Sequence, residues 1–228
     1  MFADLNKMIR APRPFRTMLP ADITTLECYI SSVNATELNE QELECVRGAA
    51  PKCQREFAAG RKLAREALRS FGIRDFPLLS NPDRSPKWPE SILGSITHSS
   101  DHCAVAVASA KRYRGIGIDI QEIETVGPGL WRTFCTEIEL RHIERSKPHE
   151  RQHRAALIFS AKESYFKAQF PREQKWSDFL DFAVFPTANQ FEVVPVRESS
   201  SSMETIVGRY EIEPQRVRTS VVLRATPV

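Results

Sequence analysis

The stretch Gly115-Ile116-Gly117-Ile118-Asp119-Ile120-Gln121 sets a carboxylate inside an apolar, β-branched run. Isoleucine at every second position marks a strand, because successive strand side chains point to opposite faces. If Ile118 and Ile120 face a core, Asp119 and Gln121 share the other side. A buried carboxylate is costly unless it is paired or bound to a metal. An Asp carboxylate and a Gln carbonyl on one face offer the oxygen ligands a hard cation such as Mg²⁺ takes while keeping several waters. A solvated sheet face would account for the same two residues.

Upstream of this strand, Ser91–Thr97 and Cys103–Ala108 read as two more strands, so residues 92–121 predict a three-stranded antiparallel meander. Before them, Pro77–Pro89 is a loop with an Asn-Pro-Asp turn signal. Lys52–Phe71 carries an apolar stripe at helical spacing (Phe57, Leu63, Ala64, Ala67, Leu68, Phe71), with a basic complement and Gly72 as its stop. Residues 22–33 predict a strand, and residues 1–20 an extended, Pro-rich lead-in.

Downstream, Gly127-Pro128-Gly129 breaks the chain. Thr136 with Glu139 three residues later is a capping box opening a helix toward Ile143, which Lys147-Pro148 ends. A longer helix is expected from Glu150 to Phe170, stopped by Pro171. Four strands follow, at Asp181–Phe185, Gln190–Val196, Glu204–Ile212 and Val217–Arg224, with a polar turn at Ser199–Ser202. Helix followed by strands thus occurs twice. The pattern is α+β with antiparallel sheets, not alternating βαβ units. It divides into halves at 1–115 and 116–228.

The chain has 228 residues and a formal net charge of +3, which gives no general affinity for nucleic acid. Its five cysteines include no Cys-x-x-Cys pair, which argues against a disulfide framework or structural zinc and for a reduced, cytoplasmic setting. No apolar stretch is long enough to span a bilayer, and the N-terminus lacks a signal-peptide core.

The second acidic signal is Phe159-Ser160-Ala161-Lys162-Glu163-Ser164-Tyr165-Phe166-Lys167. Glu163 and Lys167 lie at i,i+4 and share a helix face. On a solvated surface they would be a minor ion pair, but their neighbours are largely apolar, and Asp119 needs partners. Gly94-Ser95-Ile96-Thr97-His98-Ser99 places hydroxyls and an imidazole at a strand end, groups suited to phosphate. Arg55, Arg61 and Arg65 form a basic helix face, with Gly60 permitting a close approach. His98 with His102 and His149 with His153 have no obvious third ligand, so zinc is not expected. No P-loop, dinucleotide glycine pattern or nucleophile elbow is present.

In order, these segments resemble a 4′-phosphopantetheinyl transferase of the surfactin/enterobactin type. Four blocks carry the likeness: Gly60-Arg61-x-x-x-Arg65; Pro86-Lys87-Trp88-Pro89 leading to Gly94-Ser95-Ile96-Thr97-His98-Ser99; Gly117-Ile118-Asp119-Ile120; and Phe159-Ser160-Ala161-Lys162-Glu163-Ser164-x-x-Lys167. The wording of the second block leans toward the enterobactin-synthetase subgroup.

The resemblance implies two similar halves related by a pseudo-twofold, the first holding the adenosine 3′-phosphate end of coenzyme A and the second the metal. It implies Mg²⁺, with Mn²⁺ as a substitute, on Asp119 and Glu163, the third place going to Gln121 or to a water. Gln121 stands where the family often has a second acidic residue. Arg61, Thr97 and His98 would hold the 3′-phosphate, with Arg55 and Lys87 near that end. Lys162 and Lys167 would lie near the pyrophosphate or the transferring group. Glu163, Lys167 and Asp119 would carry the catalysis. The implied partners are coenzyme A and acyl, peptidyl or aryl carrier domains, served by a monomer. A coenzyme A-binding module that had lost its chemistry is the alternative, with Gln121 as its only support.

Overall fold

A computed structural model describes residues 14–173, 178–196 and 205–225; the turn expected at 199–202 lies outside them. Two hydrophobic cores order the chain, which divides after Tyr113.

The first unit opens with a short helix, α1 (Pro14–Met18), inside the stretch expected to be extended. Its apolar side chains explain the difference, since Phe15, Met18 and Leu19 are all buried. Strand β1 (Thr24–Tyr29) follows, then α2 (Glu40–Glu44) and the long α3 (Pro51–Arg69). Beyond α3, Gly72 adopts φ +75°, and Ile73 N–H donates back to Leu68 O at 3.2 Å. A left-handed glycine with such a return bond is a usual helix end.

Strands β2 (Ile92–Ser99) and β3 (His102–Ser109) form a hairpin, with Ser99 opposite His102. The sheet order is β1-β3-β2, antiparallel throughout. Cys103, Val105 and Val107 alternate along β3 and join Ala59, Leu63, Ala67 and Leu68 of α3 in one core. The predicted meander is therefore corrected. The third strand beside β3 is β1, and the strand carrying Asp119 belongs to the other unit.

That strand is β4 (Tyr113–Glu122). After it come α4 (Trp131–Phe134), α5 (Glu137–Arg145), α6 (Pro148–Glu173), β5 (Phe182–Pro186), β6 (Gln190–Pro195), β7 (Ile206–Ile212) and β8 (Arg216–Arg224). The sheet order is β4-β8-β7-β6-β5. The helix before Lys147-Pro148 ends at Arg145, as expected, and Pro148 itself opens α6, two residues before the expected Glu150, where a missing N–H is harmless. Pro171 does not stop α6, which runs on to Glu173. It lies in the last turn, where its missing N–H withholds a helical donor from one carbonyl, that of Lys167, and only two residues follow. Between Ala155 and Ala168, α6 buries Ala156, Leu157, Ile158, Ala161 and Tyr165, the profile of a helix enclosed on more than one side.

Candidate functional site

The site grows from the seam between β4 and α6. An added Cβ on Gly117 would lie 1.8 Å from Ser164 O, and one on Gly115 2.0 Å from Ala168 O. Only glycine lets the strand lie this close to the helix backbone. The next residue on that face is Asp119, two positions on. On the helix, Ser160, Ser164 and Ala168 follow at four-residue steps and form a stripe of small side chains. Asp119, only 6% exposed, thereby meets Ser160, whose Oγ donates to Oδ2 at 2.8 Å. Its Oδ1 accepts from Lys167 Nζ at 2.7 Å, and the same ammonium donates to Ile118 O at 3.3 Å. Thr219 of β8 completes the arrangement, donating to Ser160 O at 2.8 Å.

Glu163 sits half-buried one helical turn before Lys167. Burial pushes its carboxyl above the ordinary range, the nearby Lys167 pulls it down, and the negative charge of Asp119 raises it further. Its carboxylate makes no hydrogen bond or ion pair within the described residues, so its oxygens are available to a ligand. Gln121 uses its amide nitrogen locally, donating to Glu122 O at 3.0 Å and Thr125 Oγ1 at 2.5 Å, which leaves Oε1 as its ligating atom. Among the described residues no three His, Cys, Asp or Glu side chains gather to hold a metal. Two carboxylates of like charge at one seam still fit a cation that takes few protein oxygens and keeps its waters.

Lys162, placed beside the pyrophosphate by the sequence reading, has its ammonium elsewhere. It is 2% exposed and donates to Phe134 O at 2.7 Å, Phe179 O at 2.7 Å and Glu139 Oε2 at 2.8 Å. An ammonium has three donors, and all three are engaged.

In the first unit, Arg61 is 5% exposed, with its guanidinium 3.9 Å from the Phe57 ring centre. Burial lowers its pKa to about 10. Nη2 donates to Ser80 Oγ at 3.0 Å, while the buried Nε has no partner among the described residues. Ser80 bridges to Pro86, and Lys87 N–H donates to Leu79 O at 2.9 Å, so this loop brings Lys87 toward Arg61. Trp88 secures the loop on β2, filling the space above Gly94. The Lys87 side chain is exposed. Gly60 accommodates Ile96, whose Cγ2 would lie 2.9 Å from an added Cβ, so its smallness serves packing between α3 and β2.

Thr97 is buried and His98 exposed; as strand neighbours they face opposite ways. Arg55 is exposed, and six residues along α3 set it about 120° around the helix from Arg61. Arg65 instead binds Glu42 and donates to Glu37 O at 2.7 Å.

Residues 39–108 match the model of the 4′-phosphopantetheinyl transferase N-terminal domain, and residues 115–214 that of the 4′-phosphopantetheinyl transferase superfamily. Enterobactin synthase component D of Salmonella typhimurium is 30% identical over 194 residues, covering 78% of this chain and 73% of that one. The chain belongs to the 4′-phosphopantetheinyl transferase superfamily. The 4′-phosphopantetheinyl transferase PptT of Mycobacterium tuberculosis is 28% identical over 221 residues, covering 91% of this chain and 96% of that one. Enterobactin synthase component D of Escherichia coli is 34% identical over 161 residues, covering 66% and 70%. The superfamily match takes in the whole β4–α6 seam, from Gly115 to Lys167.

The sequence alone assigns no site role to Ser160 and Thr219, buried at the seam, or to Glu139, buried against Lys162. Ser160, Ser164 and Ala168 left a legible signal in their four-residue spacing. Glu139 was visible only as half of a capping box.

Proposed function

We propose that this transferase moves 4′-phosphopantetheine from coenzyme A to a serine hydroxyl of an apo carrier protein, releasing adenosine 3′,5′-bisphosphate. The observation that carries this reading is the meeting of Asp119, Glu163 and Lys167 at one seam of a superfamily member. In this step the serine Oγ–P bond forms, the P–O bond to adenosine bisphosphate breaks, and the serine proton leaves. Glu163 takes that proton: its carboxylate makes no hydrogen bond among the described residues and is biased by burial toward the protonated form. Lys167, held by Asp119, directs its positive charge toward the seam and offsets negative charge on the transferring phosphate.

Asp119 and Glu163, with Gln121 Oε1 or water, would hold Mg²⁺ or Mn²⁺ in the reaction. When bound, the cation supplies neutralisation of pyrophosphate charge. Arg61 offers to an anion a buried Nε–H that has no partner among the described residues, which supports its holding the 3′-phosphate of coenzyme A. The kinship with enterobactin synthase component D supports carriers of siderophore or other nonribosomal peptide synthesis.

The test is incubation with coenzyme A, Mg²⁺ and an apo peptidyl carrier domain, followed by intact-mass measurement of the carrier. A serine-linked phosphopantetheine adduct, lost on chelation and restored by Mg²⁺, is expected. Coenzyme A binding with no adduct on any carrier class would favour the module without chemistry.

A further inference from the structure

Glu163 has no hydrogen bond of its own within the described residues, so its direction is set by the position of α6. The residue before it is anchored on every side. Lys162 reaches the last residue of α4 through Phe134 O, the short 179–181 helical turn through Phe179 O, and α5 through Glu139. Glu139, 1% exposed, is as fully bound. Its Oε2 also accepts from Thr136 N at 2.6 Å and Thr136 Oγ1 at 2.8 Å, and its Oε1 accepts from Val184 N in β5 at 2.7 Å. One ion pair thus ties four segments to a single point on α6. Adjacent helix residues are rotated by about 100°, so fixing Lys162 also fixes where Glu163 points.

We propose that Lys162 and Glu139 form a clamp that holds Glu163 toward Asp119, making both positioning residues for the transfer and not ligands of the pyrophosphate. This rests on the transferase reading above. The full engagement of the Lys162 ammonium separates the clamp from a phosphate-binding role, because no N–H remains for a phosphate oxygen.

The test compares wild type, Lys162→Met and the double variant Lys162→Met/Glu139→Gln. For each, calorimetric titration with coenzyme A gives Kd and the concentration of working sites, and carrier modification gives kcat per site. The single variant leaves a buried carboxylate without its cation and lowers the unfolding temperature. The double variant removes both charges and recovers much of that loss. The expected result for it is a coenzyme A Kd within about threefold of wild type and a kcat per site lowered about 100-fold, the scale of a displacement near 1 Å.

A kcat within threefold of wild type in the refolded double variant would overturn the clamp. So would a Kd weakened tenfold or more with kcat retained, which would return Lys162 to the pyrophosphate. If the double variant does not fold, Thr136→Val loosens the clamp at its far end. A kcat about tenfold lower at unchanged Kd supports the proposal, and an unchanged kcat overturns it. A wild-type protein that modifies no carrier would defeat the functional reading itself, and the clamp with it.

Discussion

Glu163 is a carboxylate whose surroundings resist its charge, through burial and the nearby Asp119, while Lys167 partly compensates. Replacing it with Gln would remove the proposed proton acceptor and cation ligand while keeping the shape. Glu163→Gln should lower kcat about 1000-fold, the usual range for a general base, with no loss of thermal stability. Rate assays and melting curves on the same preparation check both halves. Arg61 is the residue proposed above to hold the 3′-phosphate of coenzyme A. Arg61→Met keeps an apolar stem over Phe57 and deletes the charge-assisted donors, so KM for coenzyme A should rise about ten- to hundredfold with kcat little changed. The thiols respond to burial in the same direction as Glu163. Burial raises Cys28 to about 11 and Cys135 to about 12, and places Cys103 well above the normal thiol value. A raised thiol stays protonated and inert at pH 8. Titration with a thiol reagent at that pH should therefore count two fast groups, the exposed Cys45 and Cys53, and three more only after denaturation.

At the level of elements, the β4–α6 seam is the feature most sensitive to a single atom. Gly117→Ala would push a methyl group into Ser164 O, and backbone on both sides leaves little room to yield. Such overpacking costs about 1–3 kcal/mol or more, read from a denaturant midpoint, and transfer should collapse because Asp119 lies two residues away. Most elements were legible. The α3 stripe, the Thr136 capping box and the strands after α6 all follow from periodicity and caps that act within a few residues. The misreadings came where local signals are ambiguous. A proline serves the first turn of a helix as well as the segment after one, so Pro148 both follows α5 and opens α6, and Pro171 lies within the last turn of α6 without stopping it. Strand pairing is not local either: β2, β3 and β4 are consecutive, yet β4 pairs in another sheet.

For the whole molecule, each unit encloses its own core, so damage should stay close to where it is made. Leu68→Ala removes a side chain only 1% exposed from the first core. It should cost about 2–5 kcal/mol. Hydrogen exchange should show protection lost mainly in α3 and β1–β3, with β5–β8 little changed. The sequence by itself determined the family, the strand bearing Asp119, the helix bearing Glu163 and Lys167, and the antiparallel α+β character. Those properties are written in short-range spacing and in residue types that chemistry restricts. Only the tertiary structure decided that Lys167 grips Asp119, that Ser160 supports it, and that Lys162 turns inward to Glu139. Lys162 and Lys167 are five residues apart on one helix and read alike as motif lysines. Which of them reaches the site depends on what packs against each side of α6, and that is set by segments distant in the chain.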